Sequence, residues 1–166
     1  MKLDLPILSS DDCQSCRKCC KFDPDEVQDA PMFTTEQRDR LLQEFMQENL
    51  HFEQRGKLWH LLLNKIPDQE KYICPLFDEQ KALCKAYDYE IFDCRTWPFY
   101  IMRKDGNVVI TLSPDCPVVA GRDPDAIIRY AHEVIGPKMI KAARKDPDLI
   151  TEYHGNATIL YTIDNF

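Results

Sequence analysis

Eight of the 166 residues are cysteines, and they fall into two blocks. Cys13, Cys16, Cys19 and Cys20 lie near the start; Cys74, Cys84, Cys94 and Cys116 spread through the middle. Deprotonated thiols are soft ligands for zinc and for iron–sulfur clusters. In Cys13-x2-Cys16-x2-Cys19 two residues separate successive thiols, so a short loop can curl and let neighbouring sulfurs converge. Three sulfurs at that step is the spacing with which bacterial ferredoxins hold corners of a cubic cluster. A single zinc ion usually draws two ligands from each of two loops. Cys20 directly follows Cys19. Adjacent side chains diverge in extended backbone, which leaves Cys20 to a second metal or to a free thiol.

The second block is regular in another way. Nine residues separate Cys74 from Cys84 and Cys84 from Cys94, and twenty-one separate Cys94 from Cys116. Proline follows directly in Cys74-Pro75 and Cys116-Pro117, fixing the chain direction beyond the thiol. Each of these cysteines alone would read as a small buried apolar residue. After a C-x2-C-x2-C-C cluster they read as ligands, so all eight are candidate metal residues. Arg17, Lys18, Lys21, Lys81, Lys85 and Arg95 border the thiols and would stabilise an anionic thiolate site. The N-terminal loop offers at most three well-placed sulfurs, so a closed site needs a fourth from the second block. The expectation is a metal that ties the N-terminal segment to the central region.

Other chemistry is weakly signalled. His132-Glu133-Val134-Ile135-Gly136 begins like a zinc-protease helix but has glycine where the second histidine belongs. His51, His60 and His154 stand alone. The five glycines form no phosphate-binding loop, which argues against a self-contained nucleotide or methyl-donor fold. No catalytic motif is complete.

The elements that must position these residues are legible in part. A chain with 44% hydrophobic and 30% charged residues buries roughly 70% of its unfolded surface, so it folds without disulfide staples. Thr34-Thr35-Glu36-Gln37 is a capping box, and Leu41, Leu42, Phe45, Met46 and Leu50 predict a helix from about Thr35 to Leu50. Lys57 to Ile66 fits helix and strand equally. Phe99 to Leu112 alternates around Lys104-Asp105-Gly106-Asn107 and predicts a β-hairpin. Asp123-Pro124 opens a helix that Gly136-Pro137 should break or kink, and Thr158 to Ile163 predicts a last strand. The sum is one small α+β domain over 1–166, with a cysteine-rich metal-bound core in 12–117, a β-hairpin, and a helical and strand extension in 123–166.

A net charge of −7 argues against nucleic acid and anionic membrane as partners and leaves a protein partner open. No apolar run reaches the length of a membrane span. Asp4 and Pro6 stand where an export signal would have its apolar core, so the expected location is the cytoplasm. Thiols crowded in that compartment are metal or redox residues more often than disulfides.

The ordered set Cys13-Gln14-Ser15-Cys16-Arg17-Lys18-Cys19-Cys20, Cys74-Pro75-Leu76, Cys84-Lys85-Ala86-Tyr87 and Cys94-Arg95-Thr96-Trp97-Pro98-Phe99 resembles the YkgJ-type cysteine-cluster (CxxCxxCC, zinc- or iron-chelating) family. The resemblance implies metal chelation; similar clusters occur in flagellin lysine methylases. One departure is plain: the family commonly has Arg-Pro where Tyr89-Glu90 stands here. From the residues, the first reading is an iron–sulfur protein, with a 4Fe-4S cluster in an electron-transfer or enzyme-assisting role. The alternative is a structural zinc module that scaffolds a protein partner, and the third a disulfide framework.

Overall fold

The computed structural model describes residues 7–9, 12 and 16–166. Small sheets alternate with helices, one of the longer ones at Thr35–Glu44 and others toward the C-terminus, an α+β fold. Backbone packing divides the chain into two units: Arg17–Arg95, and Thr96–Phe166 with the residues up to Cys16.

The Arg17–Arg95 unit is built from short strands. A 3-10 turn, Lys18–Cys20, leads into β1 (Lys21–Phe22), and a second, Pro24–Asp29, leads to β2 (Met32–Phe33). Helix α1 (Thr35–Glu44) starts where the capping box predicts: the Gln37 amide donates to Thr34 Oγ1 at 3.2 Å, and the Thr34 amide to Gln37 Oε1 at 3.0 Å. It ends earlier than the predicted Leu50. A 3-10 turn at Met46–Glu48 follows, and Asn49 at φ 50° redirects the chain. The reason lies in burial. Leu41 is the buried residue of α1, while Leu42 and Met46 stay exposed, so little apolar burial drives the helix onward.

Strands β3 (Phe52–Arg55) and β4 (Leu58–Leu61) form a hairpin, and β4 also pairs with β2. The ambiguous segment from Lys57 is thus a strand first. Leu58 and His60 fill one face, and Leu61 is fully buried on the other. β6 (Tyr72–Ile73) pairs with β5 (Asn64–Lys65) on one side and with β1 on the other, in the order β1-β6-β5. β7 (Phe77–Asp78) and β8 (Leu83–Cys84) make a second hairpin. The Asp78 carboxylate accepts the Gln80 and Lys81 amides at its turn. Helix α2 (Phe92–Thr96) follows. Phe33, Leu41, Leu61 and Leu76 are fully buried at the centre, with Cys74, Phe77 and Ile91 around them and Cys20 and Cys84 against the cluster.

The other unit carries the predicted hairpin, β9 (Phe99–Lys104) and β10 (Asn107–Leu112). Asp105 at φ 51° and Gly106 at φ 81° form its two-residue turn, the left-handed geometry that matches strand twist. After helix α3 (Pro117–Ala120) comes α4 (Pro124–Tyr130), capped by the Asp123 carboxylate on the Ala126 amide. Gly136-Pro137 does not break the helix. A π turn, Ala131–Ile135, absorbs the discontinuity, the Gly136 amide reaches the Ala131 carbonyl, and α5 (Gly136–Lys145) continues with Pro137 in its first turn. β11 (Thr151–Glu152) lies parallel to β9, and β12 (Thr158–Thr162), the predicted last strand, pairs with β10. Among the described residues no helix is long and apolar enough to cross a membrane.

The π turn depends on Gly136. The Tyr161 hydroxyl donates to the Ala131 carbonyl at 3.2 Å, and a Cβ at position 136 would collide with that hydroxyl and with the carbonyl itself. Gly136→Ala is expected to destabilise the protein by about 1–3 kcal/mol through overpacking, and Tyr161→Phe by about 1 kcal/mol for the lost hydrogen bond. Urea denaturation of the two single variants and the double variant checks this, the double costing less than the sum because Tyr161→Phe removes one of the two collisions.

Candidate metal centre

Five thiols of the Arg17–Arg95 unit lie within one another's electrostatic field: Cys19, Cys20, Cys74, Cys84 and Cys94. They arrive from four separate places in the chain. Cys19 and Cys20 close the 3-10 turn after Arg17, which takes a left-handed φ of 57°. Cys74 follows β6 directly, and its amide donates to the Cys20 carbonyl at 2.9 Å. Cys84 is on β8, opposite Phe77, so the β7–β8 hairpin returns it beside Cys74. Cys94 is carried by α2.

The backbone is shaped for the sulfurs. The Leu76 amide donates to the Cys74 sulfur and the Ala86 amide to the Cys84 sulfur. The donor is two residues beyond the thiol in both cases. At Cys74 it has to be, because Pro75 has no N–H to offer. The Phe77 amide closes the first turn onto the Cys74 carbonyl at 3.0 Å, and the Lys85 amide ties the second to the Leu76 carbonyl at 2.8 Å. A hydrogen bond onto sulfur favours its charged form, the form that binds metal.

Without a cation the crowd is strained electrostatically. Loss of water pushes the Cys74 thiol up to about 12, and the Cys84 and Cys19 sulfurs add to the shift. Desolvation raises Cys84 as well, against the Ala86 amide and the Arg95 guanidinium. Cys94 is exposed as a residue; desolvation holds its thiol well above the ordinary range, followed by the fields of Cys74, Cys84 and Asp93. Cys20 donates its S–H to the Cys19 sulfur, lowering Cys19 and raising itself. The Lys18–Cys20 backbone is a 3-10 turn rather than extended, so the two adjacent thiols meet instead of diverging. A divalent cation would relieve this repulsion, and the donor set is chemically suited to zinc and to iron. Among the described residues, no three His, Cys, Asp or Glu side chains already stand in an arrangement that would hold a metal ion. The thiols converge without being preformed as a closed site.

The remaining sequence candidates are placed as follows. Cys13 lies outside the described residues, and Cys16 is half-buried in the N-terminal segment of the other unit. Cys116 is buried at the start of α3. No disulfide joins the described cysteines. Two of the bordering cations answer carboxylates: Lys18 pairs with Asp23 and Glu26 at 3.2 and 3.1 Å, and Lys85 with Glu48 at 2.7 Å. Arg95 stacks on Tyr87 and donates to the Tyr87 carbonyl, and its charge favours the Cys84 thiolate. His132 stacks on Tyr161, and His154 contacts the Glu152 carbonyl. His60 is buried with neither ring nitrogen at hydrogen-bonding geometry, and desolvation lowers its pKa although the Gln28 carbonyl pulls the other way.

Two features were not legible in the sequence. Tyr89 takes a hydrogen-bonding contact from its hydroxyl to Glu44 under the Arg40 guanidinium, and Glu90 adopts φ 51°. Proline cannot reach that φ, so the backbone at Glu90 is one that an Arg-Pro pair could not adopt. The second feature is Asp93, beside Cys94. Its carboxylate accepts the Met32 amide at 2.8 Å while burial pushes its pKa from 3.8 up to about 6. Between those values the folded carboxyl keeps a proton that the unfolded one has lost, so stability falls as pH rises through the window. Asp93→Asn keeps an oxygen for the Met32 amide and carries no charge. Its stability relative to the parent is expected to improve from about pH 4 to pH 6 and then level off, by on the order of 1–2 kcal/mol, since Asp93 retains some contact with water. Urea titrations of both proteins in the same metal state check this, and a difference independent of pH would contradict it.

Residues 12–117 match the CxxCxxCC family, described as "Putative zinc- or iron-chelating domain". Comparisons with curated proteins and with solved structures return no match. The matched span covers well over half of the chain and contains all eight cysteines, including the five that converge. The protein therefore belongs to the CxxCxxCC family of zinc- or iron-chelating domains.

Proposed function

We propose that Cys19, Cys74, Cys84 and Cys94 together hold one thiolate-bound metal centre, and that its occupant is an iron–sulfur cluster serving electron transfer or assisting an enzyme in the cytoplasm. The observation that carries the reading is the convergence of thiols from four chain segments, with backbone amides aimed at the Cys74 and Cys84 sulfurs. An iron–sulfur group would supply one-electron chemistry, its potential set partly by hydrogen bonds to the sulfurs. The chain's own contribution is to hold four thiolates, to direct the Leu76 and Ala86 amides at two of them, and to keep Arg95 near the Cys84 sulfur.

A second reading has its own support. One sulfur from each of four separated segments is also how a closed four-thiolate zinc site cross-links a small fold. Purification without oxygen followed by metal and sulfide analysis separates the two. Iron with inorganic sulfide and broad visible absorption is the expected result; a colourless protein with one zinc per chain establishes the second reading instead. A chain that takes up neither metal overturns both. Serine at Cys74 or at Cys84 is expected to weaken metal affinity by at least about tenfold, measured by competition with a chelator.

A further inference from the structure

Helix α5 is charged against the composition of the chain. Its ten residues include Lys138, Lys141, Arg144 and Lys145 and no Asp or Glu. The whole chain has 28 acidic residues against 21 basic ones. Met139 and Ala143 are fully buried and fix which way the helix faces. Lys138, Lys141 and Lys145 are exposed at steps of three and four, so they line one stripe, about 10 Å long, roughly opposite those two. Arg144 lies beside the stripe and is engaged elsewhere. It donates to the Asn165 carbonyl at 3.5 Å and sits over the Phe166 ring.

The stripe works against the helix that carries it. Residues three and four apart are neighbours on a helix surface, and like charges there repel. Lys141 has Lys138 on one side and Arg144 and Lys145 on the other, and α5 holds no carboxylate to answer them. Other cations of the chain do find carboxylates: Lys18, Arg40, Lys71, Lys85 and Arg122 each pair with one. Among the described residues none of the three lysines has such a pair. The helix dipole favours a cation in the last turn, where Lys145 lies, but not Lys138 in the first turn or Lys141 in the middle.

An anionic surface laid along the stripe would relieve this repulsion, and that surface has a bounded extent. Glu133 precedes the stripe, Asp146 and Asp148 follow it, and the chain as a whole carries −7. A continuous field of phosphates, on a duplex or an anionic bilayer, would press on those carboxylates too. A short acidic segment of a protein meets the lysines without them. We propose that Lys138, Lys141 and Lys145 form a docking stripe for a partner protein that presents carboxylates at matching helical spacing. Charge complementarity of this kind sets the choice of partner and the speed of encounter. The docking depends on α5 and not on what occupies the metal centre.

The test uses the full chain as purified. Its probe is a synthetic alanine-based helical peptide with glutamates at steps of three and four residues. Binding is read by fluorescence anisotropy at about 50 mM salt, where screening is weak. The parent is expected to bind, and added salt to weaken the binding. Lys138→Gln/Lys141→Gln is expected to bind at least about fivefold more weakly, yet to melt no lower than the parent, since it removes repelling pairs. Lys57→Gln/Lys65→Gln makes the same change of net charge in the Arg17–Arg95 unit and is expected to bind as the parent does. Absence of binding by the parent, or a loss of affinity that the two double variants share, overturns the proposal. So does unchanged affinity or a lower melting temperature in Lys138→Gln/Lys141→Gln. Tighter binding to a DNA duplex or to phosphatidylglycerol vesicles than to the peptide also overturns it, in favour of a phosphate surface.

Discussion

Sulfur crowded into a small core is the constraint around which the Arg17–Arg95 unit is organised. A thiol loses little by burial when it is protonated, but several thiolates brought together without a cation repel one another and lose their water at the same time. Cys74, Cys84 and Cys94 all show that cost in their raised pKa values, with desolvation as the leading cause in each. Two backbone amides and one guanidinium offset part of it. A bound cation would offset the rest, and the family to which the chain belongs is described as zinc- or iron-chelating.

The strands that bring the sulfurs together are two residues long, and such elements hold poorly by pairing alone. They are held instead by a small apolar cluster in which Cys74 itself is a member, with Leu76 and Phe77 immediately beyond it. Packing and the proposed ligation therefore fall on the same residues. Loss of metal would be felt by the apolar cluster, and disturbance of the cluster by the sulfurs, because metal affinity and folding free energy are coupled.

The Thr96–Phe166 unit is organised on ordinary terms. A four-stranded sheet with a two-residue left-handed turn packs its own helices, with Met139 and Ala143 fully buried on α5. Its one unusual element, the π turn at Ala131–Ile135, is explained by what meets it. Gly136 leaves room for the Tyr161 hydroxyl, and that hydroxyl satisfies the Ala131 carbonyl that the wider turn presents.

Local chemistry determined a good deal from sequence alone. The Thr34–Gln37 capping box, the Asp105-Gly106 hairpin and the Asp123 cap need only neighbouring atoms, so each was readable and each stands where it was read. The cysteine spacing likewise identified the family, because two-residue steps and the order of thiols are properties of the chain itself. What lay beyond the sequence depends on atoms far apart in it. The end of α1 at Glu44 was set by the absence of a surface for Leu42 and Met46 to cover, and the uninterrupted helix at Gly136 by a tyrosine twenty-five residues on. The grouping of Cys19 and Cys20 with Cys74, Cys84 and Cys94 followed from the β1–β6 register and the β7–β8 hairpin. Spacing could name the thiols as ligands, but which sulfurs meet is a long-range pairing, and only tertiary structure decides it.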